Sequence, residues 1–181
     1  MTLYLGKYRV ESARLRDWDY RSRGWYFVTI CVRNRDCVFG DVVNGEMYLS
    51  RLGQITEAHL QSLQIHYNNV QVDAHVVMPN HLHAIVAIDG EHCFSPHAEP
   101  TSTSPVAASL PASPKAGSLS AIIRSFKAGV TSRCCELGLT QPIWQPRFYD
   151  RLLRSDAVID AVRDYIRNNP ANWAQDTENR S

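Results

Sequence analysis

The apolar residues of this chain come in short runs bounded by turn residues, and that punctuation limits the folds open to it. Trp25–Val32 (WYFVTICV) is a β-rich run stopped by Arg33-Asn34-Arg35, and Val70–Met78 and Leu82–Ile88 are two more, separated by Pro79-Asn80. Each reads as a strand. Leu82–Ile88 alternates too little for a half-exposed sheet, which predicts burial on both of its faces. Val38–Val43 and Glu46–Leu49 flank Asn44-Gly45, a pair suited to a two-residue turn at positive φ, and predict a hairpin. Leu52, Ile55, Leu60, Leu63 and Tyr67 recur at helical spacing before Asn68-Asn69. Ser118 is placed to cap a second helix that carries Leu119, Ile122, Ile123, Phe126 and Val130 on its apolar side. Ile143–Tyr149 is a short extended stretch broken by Pro146. Ser155 and Asp156 open a last helix, which ends near Asn168-Asn169-Pro170 because proline disfavours helical geometry at the residue before it. The order strand, hairpin, helix, two strands, helix, helix predicts an α+β fold, an antiparallel sheet with helices packed on one side.

No apolar run approaches the roughly 18 residues needed to cross a bilayer, so no membrane partner is expected. The length, 181 residues, suits a single domain over 1–181. Residues 94–117 hold five of the nine prolines among Ser, Thr and Ala, and read as a mobile loop within that domain. The N-terminus is polar and Arg-rich without an apolar signal segment, and the five cysteines include no CxxC. Together these predict a cytoplasmic protein with free thiols. The formal net charge is +1, which taken alone argues against a nucleic-acid partner. It conceals a split. Residues 1–40 carry eight basic and four acidic side chains, residues 41–100 one and seven, and residues 118–154 six and two. Two basic segments can form a local patch on a nearly neutral molecule, although the charges alone are equally consistent with scattered solvated side chains.

Two stretches carry candidate chemistry. His81 and His83 lie two apart in a predicted strand and so project from one face, where two imidazoles can share a divalent cation. The spacing alone does not separate a metal site from two ordinary core or surface histidines. In the last helix Ile159, Val162 and Ile166 form a core stripe, and Tyr165 and Asn169, at i and i+4, lie one above the other on an adjoining face. They could serve as nucleophile and metal ligand, or as a half-buried aromatic and a helix-end residue.

The segments Trp25–Val32, Val76-Val77-Met78-Pro79-Asn80-His81-Leu82-His83, Ser125-Phe126-Lys127, Trp144-Gln145-Pro146-Arg147-Phe148-Tyr149-Asp150 and Asp164-Tyr165-Ile166-Arg167-Asn168-Asn169-Pro170 together resemble those of a REP-associated tyrosine transposase, of the single-tyrosine HUH superfamily. The motifs run in family order over about residues 20–172. The resemblance implies a ferredoxin-like or RRM-like HUH nuclease fold. It implies His81 and His83 as the histidine pair of the HUH motif, Tyr165 as the catalytic tyrosine and Asn169 as a third, polar ligand of Mg²⁺ or Mn²⁺. Tyr149 is the rival nucleophile, ranked lower because no carboxamide follows it one turn on. The implied reaction is attack of the Tyr165 hydroxyl on a backbone phosphate of single-stranded DNA, giving a 5′-phosphotyrosine and a free 3′-hydroxyl. Strand rejoining then needs no nucleotide cofactor, and no GxxxxGKS loop is present.

Expected DNA contacts are Arg21, Arg23, Arg33, Arg35, Arg124, Lys127, Arg147, Arg151 and Arg154, with Trp25, Tyr26, Trp144 or Phe148 available to stack bases or to pack in the core. By resemblance the partner is a hairpin-forming repeat of the REP kind, and the protein a monomer or a homodimer. A hairpin-binding module that no longer cuts, and a metal-dependent hydrolase without a covalent step, are the competing functions.

Overall fold

A computed structural model describes residues 22–89 and 117–179, together with the backbone of two short paired strands, β1 (Leu3–Tyr4) and β2 (Tyr8–Arg9). Arg21 and almost all of the 94–117 segment lie outside the described residues. The remaining elements, in chain order, are β3 (Gly24–Cys31), β4 (Gly40–Val43), β5 (Glu46–Leu49), α1 (Arg51–His66), β6 (Val70–Met78), β7 (His81–Ile88), α2 (Leu119–Glu136), β8 (Tyr149–Leu153) and α3 (Asp156–Asn168). The fold is α+β. Its main sheet has four antiparallel strands in the order β6-β7-β3-β8, and β4 and β5 form a separate hairpin.

The local signals explain the element ends. Asn44 and Gly45 both take positive φ, as a two-residue hairpin turn requires. Ser50, Ser118 and Ser155 each cap a helix by accepting a backbone N–H three residues on. Gly53 sits so close to the Phe39 carbonyl that a Cβ would lie 2.1 Å from its oxygen, so glycine is what lets α1 start against the chain leaving β3.

Strand alternation builds two cores. Tyr26, Val28 and Ile30 of β3 and Leu82, Ala84, Val86 and Ile88 of β7 face α1 and α2, where they meet Leu60, Leu63, Ile122, Ile123, Phe126 and Val130. Ile85 and Leu153, with Phe27 and Trp25 beside them, point the other way and pack under Ile159 and Ile166 of α3. The expectation of helices on one side is therefore corrected: α3 covers the opposite face. The physical reason lies in β7, which is apolar at odd and even positions alike and needs cover on both faces. A second correction concerns the last strand. Only Trp144 of the 143–148 stretch makes a bridge, to Val32, and the fourth sheet strand is β8, which starts at Tyr149.

A bulge between Val72 and Ala74 leaves Asp73 as an extra residue in β6. Its carboxylate accepts two hydrogen bonds from the Arg163 guanidinium, both 2.7 Å. Arg163 also donates to Asp160 at 2.8 Å and lies 5.6 Å from the Trp25 ring. This bidentate clamp fixes α3 on the sheet.

Candidate metal and tyrosine site

β7 begins at the histidines, and its register fixes what surrounds them. His81 pairs with Cys31 and Met78, and His83 with Thr29 and Val76. Both side chains are buried on the α3 face of the sheet. The Asn80 carboxamide donates to the Glu178 carbonyl at 2.9 Å, which turns its oxygen toward His81 Nδ1 at 2.8 Å. His81 Nδ1 therefore carries the proton, and its Nε2 keeps a lone pair. His83 Nδ1 lies 2.9 Å from the Thr29 hydroxyl, which can serve as either donor or acceptor. The two Nε2 atoms converge to 3.1 Å. Burial holds both imidazoles neutral, with pKa values pushed down to about 3, reinforced at His81 by Arg35 and at His83 by His81.

Oxygen donors close the site. Asp176 Oδ2 lies 3.8 Å from His81 Nε2 and accepts from Asn169 Nδ2 at 3.1 Å. Ligand atoms of His81, His83 and Asp176 all fall within 4.8 Å of one another. Asn169 is 2% exposed, and its Oδ1 is buried with no hydrogen-bond partner among the described residues. A buried acceptor left in that state costs about 1–3 kcal/mol, which a cation beside it would offset. Two neutral imidazole nitrogens, one carboxylate and one orphaned amide oxygen make a donor set that fits a divalent cation.

Tyr165 projects from α3 into the same space. Its hydroxyl is 3.2 Å from His83 Nε2, and its ring is 46% exposed, so the phenol is in contact with the histidines and open to solvent together. The Phe27 ring stacks on His83 at 5.1 Å and meets Tyr165 edge-on at 6.0 Å. Burial and then the Asp176 charge push the phenol pKa up, and hydrogen bonding with Asn169 works against them.

Asp176 is the residue that the sequence did not signal. After Pro170 the chain turns back through the short 3₁₀ helix Trp173–Gln175, and Asp176 Oδ1 accepts from the Glu178 backbone at 2.7 Å. Glu178 is tied down by an ion pair with Arg35 and by the Asn80 hydrogen bond. An acidic residue seven positions beyond Asn169 has no periodic relation to the helix, so spacing could not find it.

The expected DNA contacts divide. Arg35 is half-buried in its pair with Glu178, and Arg23 pairs with Asp89 at 3.1 Å on the surface. Lys127 donates to the carbonyls of Gln145 and Arg147, at 2.8 and 3.0 Å, and burial lowers its pKa to about 8. Arg33, Arg124, Arg147, Arg151 and Arg154 are exposed and make no ion pair with another described side chain. Among the four aromatics considered for stacking, Tyr26 is wholly buried, and Trp144 and Phe148 pack on the core beneath α1 and α2. Tyr149, the rival nucleophile, is 51% exposed on the edge strand β8.

Comparison with known proteins gives three findings. A curated protein of Haemophilus influenzae, uncharacterized, is 34% identical over 174 residues, covering 94% of this chain and 93% of its own length. A solved REP-associated tyrosine transposase bound to a REP hairpin superposes with a TM-score of 0.57 at 22% identity, covering 90% of this chain and 74% of that one. A solved transposase candidate from Deinococcus radiodurans R1 is more distant, with a TM-score of 0.45 at 16% identity over 86% of this chain and 95% of that one. No family model matches the chain.

Proposed function

We propose, for a chain that belongs to one family with the uncharacterized Haemophilus influenzae protein and has the fold of a REP-associated tyrosine transposase, that it cleaves and rejoins single-stranded DNA hairpins with Tyr165 as nucleophile. The observation that carries this is the 3.2 Å approach of the Tyr165 hydroxyl to His83 Nε2, inside the His81, His83 and Asp176 cluster. A solvent-open phenol at a buried group of metal-type donors is what covalent phosphoryl transfer needs, because substrate must reach the oxygen while its charge is stabilised.

The chain's own groups hold Tyr165 as the phenol at neutral pH, since burial and Asp176 both oppose its ionisation. Mg²⁺ or Mn²⁺ held by His81, His83, Asp176 and Asn169 would supply positive charge that favours the phenolate and polarises a phosphate oxygen. Imidazole donors favour Mn²⁺ over Mg²⁺ in affinity. Asn80 and Thr29 orient the imidazoles, and Phe27 stacks on His83 and keeps the ring in place. Attack by the Tyr165 oxygen on a phosphodiester forms the tyrosine–phosphorus bond and breaks the bond to the 3′ oxygen, which leaves as a hydroxyl after protonation. Reversal by a 3′-hydroxyl restores the phosphodiester and the phenol. Of the arginines expected to meet DNA, Arg33, Arg124, Arg147, Arg151 and Arg154 are exposed and available to phosphates.

The test is incubation with Mn²⁺ and labelled hairpin DNA, followed by denaturing electrophoresis. A covalent protein–DNA band is expected for the wild type and is absent in Tyr165→Phe. Cleavage that persists in Tyr165→Phe would show a hydrolase without a covalent step. Hairpin binding with no cleavage by the wild type would show a binding module.

A further inference from the structure

The chain before β8 runs along the sheet edge without becoming a strand. Ile143 accepts from the Arg33 backbone N–H at 2.8 Å, Trp144 bridges Val32, and the Gln145 N–H donates to the Cys31 carbonyl at 2.9 Å. Regular pairing then stops at Pro146, which has no N–H to give, and resumes at Tyr149 opposite Thr29. The carbonyls on either side of that proline, Gln145 and Arg147, are both taken by one side chain of α2. Lys127 Nζ donates to them at 2.8 and 3.0 Å and lies 5.8 Å from the Trp144 ring centroid. An ammonium has three donors and no acceptor, so a single lysine can serve two carbonyls that lie outside the ladder. Burial lowers the pKa of this amine to about 8, as expected of a cation drawn back from the surface.

We propose that Lys127 is a positioning residue for DNA binding: its amine ties the exposed 145–147 backbone to α2 and so sets where Arg147 meets a phosphate. The inference rests on the DNA function proposed above, and it gives Lys127 a role other than the phosphate contact expected from the sequence. The anchor is firm. The Lys127 carbonyl accepts from Trp144 Nε1 at 3.1 Å, and the Trp144 ring packs against Phe39 and Phe126, each at 5.6 Å between centroids. The segment it holds is not, because Gln145, Pro146 and Arg147 are all exposed and have no core contact to fix them. An arginine whose Cα is already in place loses less freedom when it binds than one on a loose loop. At the other end of the segment Arg33 is held by its own backbone bond to Ile143, so its position does not depend on the lysine.

The experiment measures hairpin DNA binding by fluorescence anisotropy between about 50 and 200 mM salt. It compares wild type, Lys127→Met, Arg147→Ala and the double variant. Arg147→Ala should make the slope of log K against log salt shallower by about 1. Lys127→Met should do the same, although its amine faces the protein, and the double variant should show no further change. Arg33→Ala should add its own reduction to that of Lys127→Met. Additive reductions in Lys127→Met/Arg147→Ala would make Lys127 a phosphate contact in its own right. An unchanged slope in Lys127→Met, with or without a lowered Tm, would make it a stabilising residue only. Either result overturns the inference while leaving DNA binding standing. Should Lys127→Met not fold, Lys127→Gln keeps a donor for one carbonyl and carries the same comparison. A wild type that binds no hairpin overturns the DNA function itself, and the inference with it.

Discussion

Through His81 and His83, acid reaches the stability of this molecule. Burial lowers both pKa values from 6.5 to about 3, so between those limits the unfolded chain binds more protons than the folded one. Stability is then full above about pH 6.5 and falls as pH drops toward 3. The Tm of EDTA-treated protein should decline from pH 7 to pH 4, and a His81→Gln/His83→Gln variant should decline less; equal declines would remove the histidines as the cause. The hydrogen bonds behind the imidazoles are equally accessible to test. Thr29→Val should weaken Mn²⁺ binding about 10- to 100-fold in calorimetric titration, and unchanged affinity would mean that the Thr29 hydroxyl does not orient His83 for a metal. His81 with His83, and Tyr165 with Asn169, were readable as neighbouring pairs because spacings of two in a strand and four in a helix place side chains together whatever the rest of the fold does; that they serve one site was what the family resemblance implied. Asp176 was not, because a turn after Pro170 brings it back and no local period encodes that return.

At the level of elements, what could be read depended on how each strand or helix is covered. The caps at Ser118 and Ser155 and the Asn44-Gly45 turn are local chemistry and are found as expected. β8 was missed because it is an edge strand whose residues on the α1/α2 side are Asp150 and Leu152, so a charge breaks its apolar pattern. The face chosen by α3 was missed because a helix stripe says that it needs cover and not which side supplies it. The Asp73 bulge helps to hold α3 on its face, so Arg163→Ala should loosen the tyrosine helix. We expect a Tm lowered by a few degrees and a larger fractional loss of adduct formation than of hairpin binding; equal losses would assign Arg163 to stability alone. Gly53→Ala should destabilise the fold by about 1–3 kcal/mol in urea titration, since its Cβ would press on the Phe39 carbonyl.

For the whole molecule, the near-zero net charge is a cancellation, and the fold trims it further. Of the basic residues expected to meet DNA, Arg35, Arg23 and Lys127 are already engaged within the protein, which leaves five exposed arginines among the described residues. At about −0.7 per phosphate contact on single strands, five contacts give a slope of log K against log salt of about −3.5, and all nine would give about −6. A slope near the steeper value would assign contacts to Arg21 and to the engaged cations. The return of the chain after Pro170 also has a consequence in time. Glu178, which anchors the Asp176 turn, follows its partner Asn80 by 98 residues, and synthesis at about 5–20 residues per second takes roughly 5–20 s to cover that distance. For most of that interval a nascent chain carries both histidines without Tyr165 or Asp176, so the cleavage proposed above would have to wait until translation has passed the last turn of the site.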